Sequence, residues 1–168
     1  MRPALSAREL SVWRTFLRAH ATITRQMEHD LAEQHMLPLP SYDVLLQLAE
    51  SPQRRLRMTD LADRVLLSRS GLTRLVDRLS KDGLVERESC PSDARGTFTV
   101  LTEKGLTRLR EAAPTHLDGI QEHVTSRLAP AELDQLGRLL RKLLPETEAV
   151  PVAGCEPGES RPSRFAAG

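Results

Sequence analysis

The sequence predicts a mainly α-helical chain with a small β-wing, a short middle segment flanked by long N- and C-terminal helices. Three observations carry that expectation. Three- and four-residue hydrophobic spacings run through both ends of the chain. Two short helical patterns joined by a tight turn occupy the middle. Two alternating segments then follow around the turn residues Pro-Ser-Asp-Ala-Arg-Gly.

Each element has its own signal. Ser6 with Glu9 fits a capping box and opens a helix that reaches about His35. The run "LPLP" breaks it, and Ser41 reads as the N-cap of a short helix, "YDVLLQLAES". "PQRRLR" reads as a turn leading into a brief extended piece. Thr59 reads as the cap of "TDLADRVLL". Ser68 caps the next helix, "SRSGLTRLVDRLSKDG", and Gly83 stops it. "LVERESC" and "TFTVLT" alternate as two strands. Thr102 caps a long helical pattern to about Leu128, with a kink expected at Pro114. Pro130 starts the last helix, which ends at Pro145. The domain plan is therefore 41–101 as a helix-turn-helix with a wing, and 6–36 with 102–145 as dimerisation helices. Residues 146–168, rich in Pro, Gly, Ser and Glu, are expected to be disordered.

Composition narrows the function. The 168 residues, 28% charged and 39% hydrophobic, suit one soluble domain with an added interface. No run of 18 apolar residues points to a membrane span, and the start lacks the apolar run of a signal peptide, so the cytoplasm is the expected compartment. Cys90 and Cys155 form no disulfide framework, and the five histidines lack metal spacing, so no metal or cofactor is expected. No nucleophile elbow, phosphate loop, dinucleotide fingerprint or H-E-x-x-H occurs, which argues against an enzyme. The net charge of +1 is unevenly spread. Residues 54–87 hold nine cations against five acids, net +4, which suits an anionic partner met at one surface.

The helix from Ser68 carries the chemistry. Leu72, Leu75, Val76 and Leu79 form one buried stripe. Arg69, Ser70, Thr73, Arg74, Asp77 and Arg78 fall on the other side. Short hydroxyl residues where bases come close, with arginines along the flanks, are what a helix entering a major groove needs. Arg69, Ser70, Thr73 and Arg74 are the candidates for base edges, with Ser68 at the helix start. Arg78 and Thr59 are candidates for phosphate. The face has no Asn or Gln, so guanine readout by arginine plus groove shape is expected. A protein-binding module would instead show an apolar recognition face. The hairpin adds a second element: Arg95 can enter a narrow minor groove, held by Asp93 two residues back.

"DARGTFTVLTEKG", with Asp93, Arg95, Leu101, Thr102 and Gly105 in register, and "LADRVLLSRSGLTRLVDRLSKDGLVER" together resemble the MarR family of bacterial transcription regulators. The resemblance spans roughly Leu10 to Leu144 in element order, with its motifs between Met58 and Gly105. It implies a homodimeric winged helix-turn-helix protein on a pseudo-palindromic double-stranded DNA operator. It also implies a repressor released by a small, often aromatic ligand, or by thiol oxidation. The leucines of the terminal helices fit intersubunit packing, because the middle segment cannot cover three long apolar stripes. In proteins resembling this one the effector pocket lies between the dimer helices and the DNA-binding lobe. Trp13, Phe16 and Tyr42, with His20 and His116 as polar contacts, are the residues expected to line it. Cys90, near Arg87 and Arg95, is the alternative redox sensor. Redox members place the sensing thiol near the start of the first helix, and this chain has none there.

Overall fold

The computed structural model describes residues 4–65, 67–90 and 93–145, with the backbone alone for Cys90 and for residues 93–96. The side chains of Cys90, Asp93 and Arg95, and the 146–168 tail with Cys155, therefore lie outside the described residues. The chain divides into two units, residues 1–120 and 121–168.

In the first unit, α1 (Ala7–His35) starts as expected. Ser6 Oγ accepts from the Glu9 amide at 3.2 Å, and the Ser6 amide donates to Glu9 Oε2 at 2.7 Å. The helix closes at Met36 in the left-handed region, φ 49°. α2 (Leu39–Glu50) begins two residues before the expected Ser41 cap, and Ser41 lies buried inside the helix. The reason is tertiary. Prolines fit a first helical turn, whose amides need no intrahelical acceptor. The Leu39 amide is satisfied by Glu28 Oε2 of α1 at 2.7 Å.

A 3-10 turn leads into β1 (Arg55–Arg57), which runs straight into α3 (Met58–Arg64). Arg57, and not Thr59, is the N-cap residue, because the strand continues to it. Thr59 lies in the first turn, where its hydroxyl donates to Asp60 Oδ1 at 3.1 Å. α4 (Arg69–Lys81) has the expected cap, with Ser68 Oγ accepting from the Gly71 amide at 3.2 Å. Gly83 stops it at φ +71°, and the Leu84 amide turns back to the Leu79 carbonyl at 2.9 Å.

β2 (Val85–Cys90) and β3 (Asp93–Leu101) complete an antiparallel sheet of order β1-β3-β2. β3 starts at Asp93, four residues before the expected strand at Thr97. Asp93–Gly96 is thus strand backbone and not hairpin tip. The ladder steps from Ser89↔Thr97 to Cys90↔Asp93, an irregularity that accommodates the turn-like residues. Leu56, Val85, Thr99 and Leu101 are buried with the stripes of α2, α3 and α4 in one core that includes Leu106 and Leu109.

α5 (Glu103–His123) runs continuously through Pro114 and ends five residues before the expected Leu128, with a 3-10 turn at Thr125–Arg127. Thr102 opens it: its Oγ1 accepts from the Gly105 amide at 3.0 Å. In the second unit, α6 (Pro130–Arg141) has Pro130 in its first turn, and the Ala129 amide donates to Glu132 Oε2 at 2.8 Å. It ends at Arg141 and not Pro145. It buries none of its residues and leaves Leu133, Leu136, Leu139 and Leu140 exposed. Among the described residues no helix is long and apolar enough to cross a membrane.

Candidate nucleic-acid interface

α4 has two chemically distinct sides. Leu72, Leu75, Val76 and Leu79 are buried. Arg69, Ser70, Thr73, Arg74, Asp77 and Arg78 are all exposed. Local geometry partly organises the exposed side. Thr73 Oγ1 donates to the Arg69 carbonyl at 2.9 Å, which leaves its oxygen free to accept. Ser68 Oγ, already the cap acceptor, lies 3.4 Å from Ser70 Oγ. Arg69, Arg74 and Arg78 form no ion pair among the described residues, so their donors face solvent.

α3 completes this surface. A cavity of about 180 Å³ is lined by Met58, Thr59, Arg69, Leu72 and Thr73, which brings Thr59 beside the first two turns of α4. One residue that the sequence pattern does not single out joins them. Arg87 of β2 reaches Asp77 of α4 at 2.8 Å and ties the wing strand to the helix. The alternating pattern "VERE" marks Arg87 as a strand residue, but only the fold brings it to Asp77.

The residues expected to line one effector pocket separate into two groups. Trp13 and Phe16 stack on each other, centroids 6.1 Å apart, and both are exposed. His20 is exposed on the same helix, at the seventh position after Trp13. Tyr42 is buried and packs on His116 with ring centroids 4.3 Å apart. Trp13 precedes Glu28, the α1 residue bonded to α2, by 15 positions. At ~1.5 Å per residue that is roughly 22 Å along a straight helix. The five residues therefore do not line a single cavity within one chain. A larger cavity, about 620 Å³, lies between the α1–α2 junction and the start of α5, with Leu37, Ser41, Leu84, Lys104 and Arg108 in its wall. None of the five expected residues lines it.

The Tyr42–His116 contact has a pH consequence. Burial pushes the Tyr42 hydroxyl up to about 12, with Glu50 and Asp43 adding to the shift. Burial pushes His116 below the ordinary 6.5, and its Nδ1 is buried without a hydrogen-bond partner. A histidine with a depressed folded value binds its proton more readily when unfolded. Its contribution to stability is complete above 6.5 and is lost as pH falls through the folded value. Melting of the wild type should thus drop more between about pH 7.5 and 5.5 than melting of His116→Phe, which keeps a ring against Tyr42. Equal pH slopes would show that His116 does not carry this dependence.

Comparison with known proteins places the arrangement. A family model described as the MarR family matches residues 37–96. The chain is 30% identical over 135 residues, 80% of its length and 85% of the relative's, to an uncharacterized HTH-type transcriptional regulator, YkoM, of Bacillus subtilis (strain 168). It is 34% identical over 100 residues to the transcriptional repressor MprA of Escherichia coli (strain K12), covering 60% of this chain and 56% of that one. Among solved structures, it superposes with a TM-score of 0.80 and 40% identity on Sco3205, a MarR family transcriptional regulator from Streptomyces coelicolor in complex with DNA. That match covers 85% of this chain and 89% of the other. These relatives are named as regulators, and none as an enzyme.

Proposed function

The chain belongs to the MarR family of transcriptional regulators, and on that premise we propose that it acts as a homodimeric repressor on a pseudo-palindromic DNA operator. In this reading α4 enters the major groove. Arg69, Ser70, Thr73 and Arg74 meet base edges there, while Thr59, Ser68 and Arg78 hold phosphates or the helix start. Arg95, oriented by Asp93, enters the neighbouring minor groove. A small aromatic ligand that favours another spacing of the two lobes releases the DNA. The observation that carries the reading is the exposed side of α4, where hydroxyls and arginines without an ion pair stand opposite a fully buried apolar stripe. The DNA complex of Sco3205 and the naming of MprA as a repressor support it.

Titration of an operator duplex at fixed salt tests it. Arg74→Ala is expected to cost roughly 1–3 kcal/mol and to relax preference at one base position. Arg95→Ala should weaken binding with little change of major-groove preference, and Asp93→Ala should be a milder copy of it. Wild-type affinity in Arg74→Ala would remove α4 from the major groove.

A further inference from the structure

The sheet carries a cationic cluster that the operator contacts above do not use. Side chains alternate along β1, so Leu56 goes to the core while Arg55 and Arg57 share the opposite face. The register sets Arg57 across from Phe98 on one side of β3 and Glu88 across from it on the other. Both guanidiniums converge on that ring: Arg55 Cζ lies 5.0 Å and Arg57 Cζ 5.4 Å from its centroid. Arg55 also reaches Glu88 at 3.6 Å, and its side chain stays 40% exposed.

Two cations gathered on one ring repel each other, and the face of the ring attracts each of them. The half-buried Phe98 thereby restricts two long side chains that would otherwise sample many rotamers. Glu88 already offsets part of the charge on Arg55, and a phosphate reached by both guanidiniums would add a further charge-assisted contact for each. Position supplies the anion. Arg57 directly precedes Met58 and Thr59, which border Arg69 and Thr73 of α4. Phe98 lies on the strand that begins at Asp93. The cluster thus joins the element proposed for the major groove to the wing proposed for the minor groove. With α4 in the major groove and the wing in the minor groove, as in the reading above, the sugar–phosphate ridge between the two grooves would run past this cluster.

We propose that Arg55 and Arg57, spread on Phe98, clamp the phosphodiester backbone of the operator, adding affinity without base preference, with Phe98 as a positioning residue. This rests on the DNA-binding reading above. The test uses the full chain and a duplex that the wild type selects from random sequence, titrated over a range of salt. Every phosphate that a variant leaves unneutralised lowers the slope of log affinity against log salt by about 0.9. Arg55→Gln with Arg57→Gln should lower the slope by up to two such steps for each subunit of the proposed dimer, with at least a tenfold loss at low salt and the same selected sequence. Phe98→Leu, with both charges kept, should lose several-fold in affinity, and Phe98→Tyr should restore it. The charge-keeping pair Arg55→Lys and Arg57→Lys guards against misfolding and should retain the wild-type slope.

An unchanged slope in the double Gln variant, with Arg74→Ala still impaired, overturns the clamp and leaves the operator reading intact. Altered sequence preference in that variant overturns the backbone role. Wild-type binding by Phe98→Leu overturns the positioning role. A wild type that selects no duplex overturns both readings together.

Discussion

Gly105→Ala is expected to lower the melting temperature by at least about 5 °C, the largest effect of an alanine at any of the described glycines. A Cβ built at Gly105 would lie 2.0 Å from the Leu84 carbonyl oxygen, 3.0 Å from its carbon and 2.8 Å from Leu101 Cδ1. The carbonyl cannot swing aside cheaply. It accepts from the Thr102 amide at 3.2 Å, and Thr102 Oγ1 lies 3.0 Å from it. The same hydroxyl lies 2.8 Å from the Gly83 carbonyl. To admit the methyl, α5 must lift from the α4–β2 turn, which breaks these bonds and loosens Leu84, Leu101 and Leu106, all buried. Overpacking of this kind costs about 1–3 kcal/mol or more, and a displaced backbone puts it at the upper end. A melt within about 2 °C of the wild type would mean that the crossing of α5 over Leu84 is looser than the distances state.

That crossing also explains a piece of the sequence. Leu101, Thr102 and Gly105 carry the family resemblance because each does a separate job at one junction. Leu101 enters the core, Thr102 caps α5 and fastens it to the turn, and Gly105 lets the two backbones meet. Such local signals make much of the fold legible. Ser68, the 72–75–76–79 stripe and Gly83 delimit α4 from within its own residues. The caps expected at Ser41 and Thr59 fail for the opposite reason. Glu28, eleven residues before Leu39, satisfies α2, and β1 carries extended backbone up to Arg57. No local pattern announces either. Asp93–Gly96 reads as a turn by composition, yet pairing with β2 draws its backbone into a strand. The exposed side of α4 is legible as a face because helical period alone sets it. The partnership of Asp77 with Arg87 is not, and neither is the separation of Trp13 from Tyr42, since both depend on how far whole elements extend.

Removing residues from Pro130 onward is expected to yield a monomeric or aggregating chain that no longer holds the operator. In the single chain α6 buries none of its residues and exposes Leu133, Leu136, Leu139 and Leu140, with Leu143 and Leu144 beyond it. The N-terminal half of α1 similarly exposes Val12, Trp13, Phe16 and Leu17. Exposed apolar rows at helical spacing mark a surface made for a partner. Full burial of a leucine contributes about 1.5–3 kcal/mol, and a two-fold interface uses each contact twice. Taking the α6 row from both copies therefore removes many kcal/mol from the proposed dimer, far more than an exposed ion pair could restore. Operator binding should fail with it, because in the proposed reading two recognition helices must stand about one DNA turn, roughly 34 Å, apart to use both half-sites. Light scattering on eluted protein reads the mass, and operator titration reads the affinity. Trp13, the only tryptophan, adds a local reading, since it is 55% exposed in the single chain. Its emission should be that of a buried indole in the full-length protein and should shift to the red on truncation. A truncated chain that remains a soluble dimer with wild-type affinity would place the subunit contact elsewhere.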